Sequence, residues 1–487
     1  MKLNYFGIIA LALPFFITSC SGSSEDDENT DGTEDLVQTA TESSTCDCES
    51  AWFNGTSILA PNEGSSSAFA DTSTTNCLFH QWSWQKFLYI TQVPSGESQP
   101  FFLSKMEQVT SSMDPINNPS GLMELTEYEQ AGGGGILMSN ETYNGQTDTV
   151  FYSIHITDQF RADADSFKTM IINDPSTVNN RETFNVGAVE LKVSWVNSSS
   201  LKSEDLPNYY TTDALVEGVT TNVALLGMHV VGVVENHPEF IWATFEHYDL
   251  AAYYDWSSTT TSDIPVSSQN NLPFFNSSET ASLSDIYWPY GDADVRNPNN
   301  VFAINKYGTP RTALDSFMTG TSQVDAAENY NNIDNINESV LDTLTKKGSA
   351  ENLLWANYFY NGAIWMNMDG LTHDQQVDSI LARVSNFGDP NYGGPLRGSL
   401  NAYNVTMETY EQTQSKAHIY DMEVDSLMNC LICHGPSSYL EIAGVTNAQS
   451  PTYLSHIFMN QMFDADSTLT LDEVKDLRFS MFHKYRK

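Results

Sequence analysis

Two runs decide how this chain folds. They are Val223-Ala224-Leu225-Leu226-Gly227-Met228-His229-Val230-Val231-Gly232-Val233-Val234 and Glu239-Phe240-Ile241-Trp242-Ala243-Thr244-Phe245-Glu246-His247. Both are rich in β-branched and aromatic residues, and Glu235-Asn236-His237-Pro238 separates them with turn chemistry, so they read as the two strands of a hairpin. Which side chains share a face depends on register, because a slip of one residue turns every side chain over. If Val234 pairs with Glu239, His229 shares its face with Trp242, Thr244 and Glu246; a shifted register puts it with His247 instead.

The same signal extends outward. Val150, Tyr152, Ile154 and Ile156 alternate, as do Val189, Leu191, Val193 and Trp195, and residues 101–196 read as strands and turns. Residues 79–90 crowd Trp82, Trp84, Phe87 and Leu88 into a packed helix or strand, with His80 at its head as a cap or surface residue. Residues 132–135 are four glycines without the lysine of a phosphate cradle, hence a turn. Residues 256–300 are loop-like in composition. Helices gather beyond residue 335: at 338–347, at 350–366, and at 371–385, where Thr372-His373-Asp374-Gln375 forms a capping box. Residues 396–410 are less regular. The expected class is α+β, with a large β-rich region at 46–410 and a small, mostly helical module at 411–487.

That last module carries the most specific motif in the chain, Cys430-Leu431-Ile432-Cys433-His434. Two thiols three residues apart on a helical turn can add across the vinyl groups of a porphyrin. The adjacent histidine then reaches the iron, which is the attachment chemistry of one covalent haem c. The competing readings are a redox dithiol and half a zinc site, but no cysteine follows Cys433 to complete a zinc set. Cys430 and Cys433 are therefore the expected thioether positions and His434 the proximal iron ligand. For the sixth position the C-terminal segment offers Met459, Met462, Met481, His456 and His483, with Met459 or Met462 preferred for nearness; His229 and His247 could reach it from the strands. Residue 419 onward gives an apolar helical stripe into the motif, 451–462 a helix, and 470–483 a final one.

The first residues set the compartment. Lys2, an apolar run over 5–17 and Ile17-Thr18-Ser19-Cys20 read as a lipoprotein signal peptide spanning 1–19, with Cys20 the acylated residue. The run is shorter than the ~20 residues a membrane span needs. A polar, acidic tether over 20–45 follows, and its start, Ser21-Gly22-Ser23-Ser24-Glu25-Asp26-Asp27-Glu28, resembles the surface-export signal of Bacteroidota-type lipoproteins. The expected location is the cell envelope, on the outer face of the outer membrane. The formal charge of −41, from 62 acidic and 21 basic residues, argues against nucleic acid or an anionic membrane surface as partner. In an oxidising compartment Cys77 is expected to pair with either Cys46 or Cys48; a metal on all three is the alternative.

Taken together, Trp82-Ser83-Trp84-Gln85-Lys86-Phe87-Leu88, Gly187-Ala188-Val189-Glu190-Leu191-Lys192-Val193-Ser194-Trp195, Gly227-Met228-His229-Val230-Val231, Phe240-Ile241-Trp242-Ala243-Thr244-Phe245-Glu246-His247 and the C-terminal motif resemble a family of bacterial exported proteins called simply cytochrome c family proteins. The resemblance spans about Cys77 to the haem motif and implies a covalent haem and export. Tyr248-Asp249 replaces the aspartate-asparagine of that pattern. No settled reaction comes with the family. Electron transfer to an unidentified redox partner protein is the expected function. One alternative is a haem-linked oxidoreductase with His229, Glu246 and His247 in a substrate pocket; another is a cell-surface binding protein whose haem is mainly structural.

Overall fold

The computed structural model describes residues 45–126, 137–251, 253–254, 271–274, 304–305, 326–347, 349–383, 396–399, 404–407 and 430–463. The signal peptide, Cys20 and nearly all of the tether lie outside them. So do the four-glycine stretch, most of 256–300, the stripe before Cys430, and the last helix with Met481 and His483.

The hairpin forms at the centre of a nine-stranded sheet. In chain order its strands are β1 (Glu107–Val109), β2 (Met123–Leu125), β3 (Phe151–Ile156), β4 (Val189–Asn197), β5 (Thr211–Val216), β6 (Val219–Val234), β7 (His237–His247), β8 (Tyr358–Met366) and β9 (Leu396–Gly398). The main order is β9-β8-β7-β6-β4-β3-β1, with β5 beside the first half of β6 and β2 paired to β5. Within this sheet, among the described residues, only β2 and β5 pair in parallel. The architecture is α+β, with helices on both faces of a mostly antiparallel sheet.

Register in the hairpin is set by a bulge. Val234 pairs with His237, yet Gly232 pairs with Ile241. Val233 therefore faces three residues, Pro238, Glu239 and Phe240. The excess of two preserves parity, so the rest of the ladder runs as if Val234 faced Glu239, and His229 stands opposite Thr244. The bulge requires φ of 67° at Phe240, an unfavourable conformation for a bulky residue. It is pinned by Glu239, fully buried, whose Oε1 accepts from Met366 N (3.1 Å) and pairs with His237 Nδ1 (3.0 Å).

One face of the sheet is covered by α1 (Asn76–Thr91) and α3 (Ala326–Lys347). Helix α1, capped by the Thr75 side chain, is buried on most sides, its polar residues Asn76, His80, Ser83, Lys86 and Thr91 included. Phe87 stacks on Phe245 at 4.2 Å, and Trp84 donates to Asn337 at 2.8 Å. His80 is no surface residue. It is buried, its Nε2 bonded to Asn329 Oδ1 (2.7 Å) and its Nδ1 to the Tyr360 hydroxyl (2.8 Å). Cys46 forms the disulfide with Cys77, which removes the three-cysteine metal reading. The Cys48 thiol remains reduced and is pushed up to about 12 by burial.

The opposite face carries α2 (Asp158–Asn173) and the segment around the Cys430 motif. Helix α2 lies where the sequence reading expects strands and turns. Its signals were present: Thr157 caps it, and Phe160, Ala164, Phe167 and Ile171 recur at helical spacing. The expected helix at 350–366 is another correction. It is helical only to Asn357 and then becomes β8; Gly362 has φ of 136°, which no helix contains. Helix α4 (His373–Ala382) has the expected capping box. The described residues from 45 onward form one compact unit. Of the stretch expected as a separate helical module, the described part, 430–463, shares an apolar cluster with β6, β7, β8 and α2.

The backbone comes very close at Gly398 in β9, with φ of 82°, where a methyl group would run into Ala363 O and the Trp365 ring. Gly398→Ala is expected to cost about 3 kcal/mol, from backbone strain and overpacking together. Urea unfolding measures it, and a loss below about 0.5 kcal/mol would contradict the close approach.

Candidate functional site

The Cys430 motif forms a single helical turn, α5 (Cys430–Cys433), and His434 N donates to Cys430 O at 2.7 Å. Cys430 is half-buried against the second apolar cluster; of Cys433 only the backbone is described. His434 Nδ1 lies 2.9 Å from Leu454 O. A carbonyl can only accept, so Nδ1 carries the proton and the basic lone pair is on Nε2. One ring face of His434 meets Trp242 of β7 at 4.3 Å, and His456 stacks on it at 3.9 Å with 19° between planes. Trp242 is itself tied to the bulge, donating from Nε1 to Glu239 O at 3.1 Å.

This arrangement bears on the sixth-position candidates. Two imidazoles that held one iron between them would have to present a nitrogen to it from opposite sides, with their ring centroids well apart. Parallel rings at 3.9 Å do not offer that. His456 as placed is a neighbour of His434, not its opposite number. Met459 lies in α6 (His456–Gln461) and Met462 caps it; both are buried in the cluster with Leu431.

The register places a patch of polar residues on this same face, in three rows across β4, β6 and β7. Glu190, Val231 and Trp242 form the row beside His434; Lys192, His229 and Thr244 form the next; Ser194, Gly227 and Glu246 form the third. The first row is covered by the 430–463 segment, where Ser455 Oγ donates to Glu190 Oε2 at 2.8 Å. The third is covered by residues 404–406. Val405 N donates to Glu246 Oε2 at 3.0 Å, and a side chain at Gly227 would collide with Asn404. In the middle row Lys192 and His229 are half-buried and Thr244 is buried. Burial pushes the Glu190 carboxyl above its ordinary range, while Lys192, Ser455 and His229 pull it back.

His229 and Glu246 thus share a face, but His247 does not. It lies on the other side of β7, stacked on Tyr209 at 3.7 Å. Its Nε2 is bonded to Asn208 O (3.1 Å), and its Nδ1 accepts from Asp249 N (3.1 Å). It is a buried structural histidine with both ring nitrogens engaged. Among the described residues no three His, Cys, Asp or Glu side chains converge as a metal site. Glu190, Lys192 and Ser455 were not singled out from the sequence. The alternation of Val189, Leu191, Val193 and Trp195 leaves Glu190, Lys192 and Ser194 on the reverse face, a signal that was available. No family model, curated protein or solved structure matches this chain.

Burial lowers His80, His155 and His247 to about 3 each. Folded, they stay neutral down to that pH; unfolded, each takes a proton near 6.5. Their stabilisation is therefore complete above about 6.5 and is lost as pH falls toward 3, by up to about 1.4 kcal/mol per pH unit per histidine. The raised Glu190 has the opposite sign and offsets part of this. Stability followed by urea unfolding from pH 7 to 5 is expected to fall, and His247→Gln to flatten the slope. An unchanged slope would show that His247 is not held neutral.

Proposed function

We propose that this chain carries one haem c, bonded through thioethers to Cys430 and Cys433 with His434 as proximal ligand, and that it transfers electrons at the cell envelope. The observation that carries this is the bond from His434 Nδ1–H to Leu454 O (2.9 Å), on a histidine that directly follows a one-turn Cys-x-x-Cys helix. Metal-ligating histidines commonly donate their second nitrogen to a carbonyl in this way, which fixes the tautomer and ring orientation. Bound haem would supply a one-electron iron centre. The protein's own contribution is positional. The Leu454 carbonyl holds the imidazole, Trp242 shields one of its faces, and the Glu239 carbonyl holds Trp242. Met459 or Met462, from the helix that begins at His456, would supply the sixth ligand. Lipid at Cys20 would tether the protein to the outer membrane, exposed at the surface, where it would meet its redox partner.

A second reading, a haem-linked oxidoreductase, is favoured by half-buried His229 on the face that carries the motif. Of the three residues first grouped for it, His229 and Glu246 remain candidates.

Protein produced with c-type maturation is expected to give a pyridine haemochrome spectrum that survives acid-acetone extraction. The spectrum should vanish in Cys430→Ser/Cys433→Ser. Colour lost on extraction from the parent would sink the proposal. In haem-loaded protein, Trp242→Ala opens the site to water and is expected to lower the reduction potential; spectroelectrochemical titration measures it, and an unchanged potential would remove Trp242 from that role.

A further inference from the structure

Five polar side chains meet under α1 and α3, on the face of the sheet away from the Cys430 motif. They are His80 and Ser83 of α1, Asn329 of α3, Tyr360 of β8 and Ser399 just after β9, none more than 6% exposed. Their protons can be assigned one at a time. Asn329 Nδ2 donates to Ser399 Oγ at 3.1 Å, which turns Asn329 Oδ1 toward His80. His80 Nε2 lies 2.7 Å from that oxygen, and an amide oxygen only accepts, so Nε2 carries the imidazole proton. Nδ1 then holds the lone pair, and the Tyr360 hydroxyl, 2.8 Å away, donates to it. The Ser83 hydroxyl, a more distant neighbour of Tyr360 at 3.3 Å, gives its own proton to Phe79 O at 2.7 Å.

The result is a buried phenol that donates to a neutral nitrogen base. Other buried tyrosines are held differently. Tyr152, Tyr358 and Tyr453 donate to the carbonyls of Thr406, Leu225 and Val178, which take up no proton. Tyr143 donates to the Asp205 carboxylate, which is partly open to solvent. Burial pushes the Tyr360 phenol well up and the His80 imidazolium well down, so the pair does not ionise by itself. Full burial also keeps substrates away. An electron needs no passage, because it tunnels through packed atoms. Trp365 lies 5.4 Å from His80 and Phe245 lies 5.1 Å from Tyr360, so aromatic rings wall the pair.

We propose that Tyr360 and His80 form a redox-active pair that holds an oxidising equivalent as a neutral tyrosyl radical. The oxidant is a strong one-electron acceptor at the protein surface, of the class of peroxide-derived radicals. Tyr360 loses one electron to it, the phenolic O–H bond breaks, and the proton forms an N–H bond at His80 Nδ1. The products are a phenoxyl radical and an imidazolium that hydrogen-bonds back to it. An oxidised phenol is a far stronger acid than an imidazolium, so the proton moves although burial disfavours the charged ring. Asn329 is a positioning residue, because its Oδ1 holds the imidazole proton on Nε2. The pair rests on no part of the haem reading.

Flash oxidation of the full chain by photogenerated tris(bipyridine)ruthenium(III), with persulfate as terminal acceptor and freeze-quench EPR as readout, tests the pair. The narrow radical signal is distinct from that of haem iron, so protein with or without haem serves. A persistent neutral tyrosyl radical is expected in the parent and lost in Tyr360→Phe, while Tyr358→Phe and Tyr453→Phe retain it. Labelling histidine with heavy nitrogen is expected to reveal a ring-nitrogen coupling to the radical in pulsed EPR. His80→Gln is expected to lower the radical yield by about tenfold or more, the effect of removing a positioned proton acceptor. No persistent radical in the parent, an undiminished signal in Tyr360→Phe, or an unchanged yield in His80→Gln would overturn the pair. If His80→Gln does not fold, absence of the histidine coupling in the parent does the same.

Discussion

Everything on the functional face depends on the pairing of β6 with β7, and that pairing depends on one bulge. Val233 opposite three residues is a distortion that an aromatic residue at positive φ would not adopt alone. It persists because Glu239 is buried at its centre, accepting from Met366 N and pairing with His237. An excess of one residue instead of two would invert parity. Trp242, Thr244 and Glu246 would then face α1, and His247 would join His229. The bulge also delivers the carbonyl that holds Trp242, so the device that fixes register also places the ring against His434.

The two faces of the sheet are used differently. Under α1 and α3 the polar groups are buried, and most are closed into fixed pairs, as with His80 to Asn329 and Tyr360, or Trp84 to Asn337. Such pairs avoid the cost of burying an unpaired polar group and hold the helices in one orientation. The other face is assembled from distant segments, with α2, residues 404–406 and residues 430–463 each covering part of it. Their seams are where a half-buried lysine and histidine occur.

How legible this was in the sequence varied with the range of the interaction. The strands of 149–156, 189–195 and 223–247 were readable, because alternation and β-branched content are local properties. The capping box at Thr372 was readable for the same reason. Helix α2 was hidden by its strand-rich surroundings, although its own cap and spacing were sound. The aromatic run at 358–366 read as helix because an unbroken apolar stretch does not declare its period. His80 looked like a cap because nothing near it in sequence announces Asn329 or Tyr360.

The sequence by itself determined the α+β character, the hairpin, the pool of cysteines from which the Cys46–Cys77 bridge was drawn, and the Cys430-Cys433-His434 motif that underlies the proposed haem. Those depend on residue type and spacing within a few positions. Only the tertiary structure decided that His229 lies beside Lys192 and away from His247, that Trp242 stands against His434, and that Leu454 supplies the carbonyl for the imidazole. The physical reason is that face and neighbour in a sheet are fixed by pairing between strands. Here that pairing hinges on a two-residue excess stabilised by contacts to β8, more than a hundred residues away in the chain.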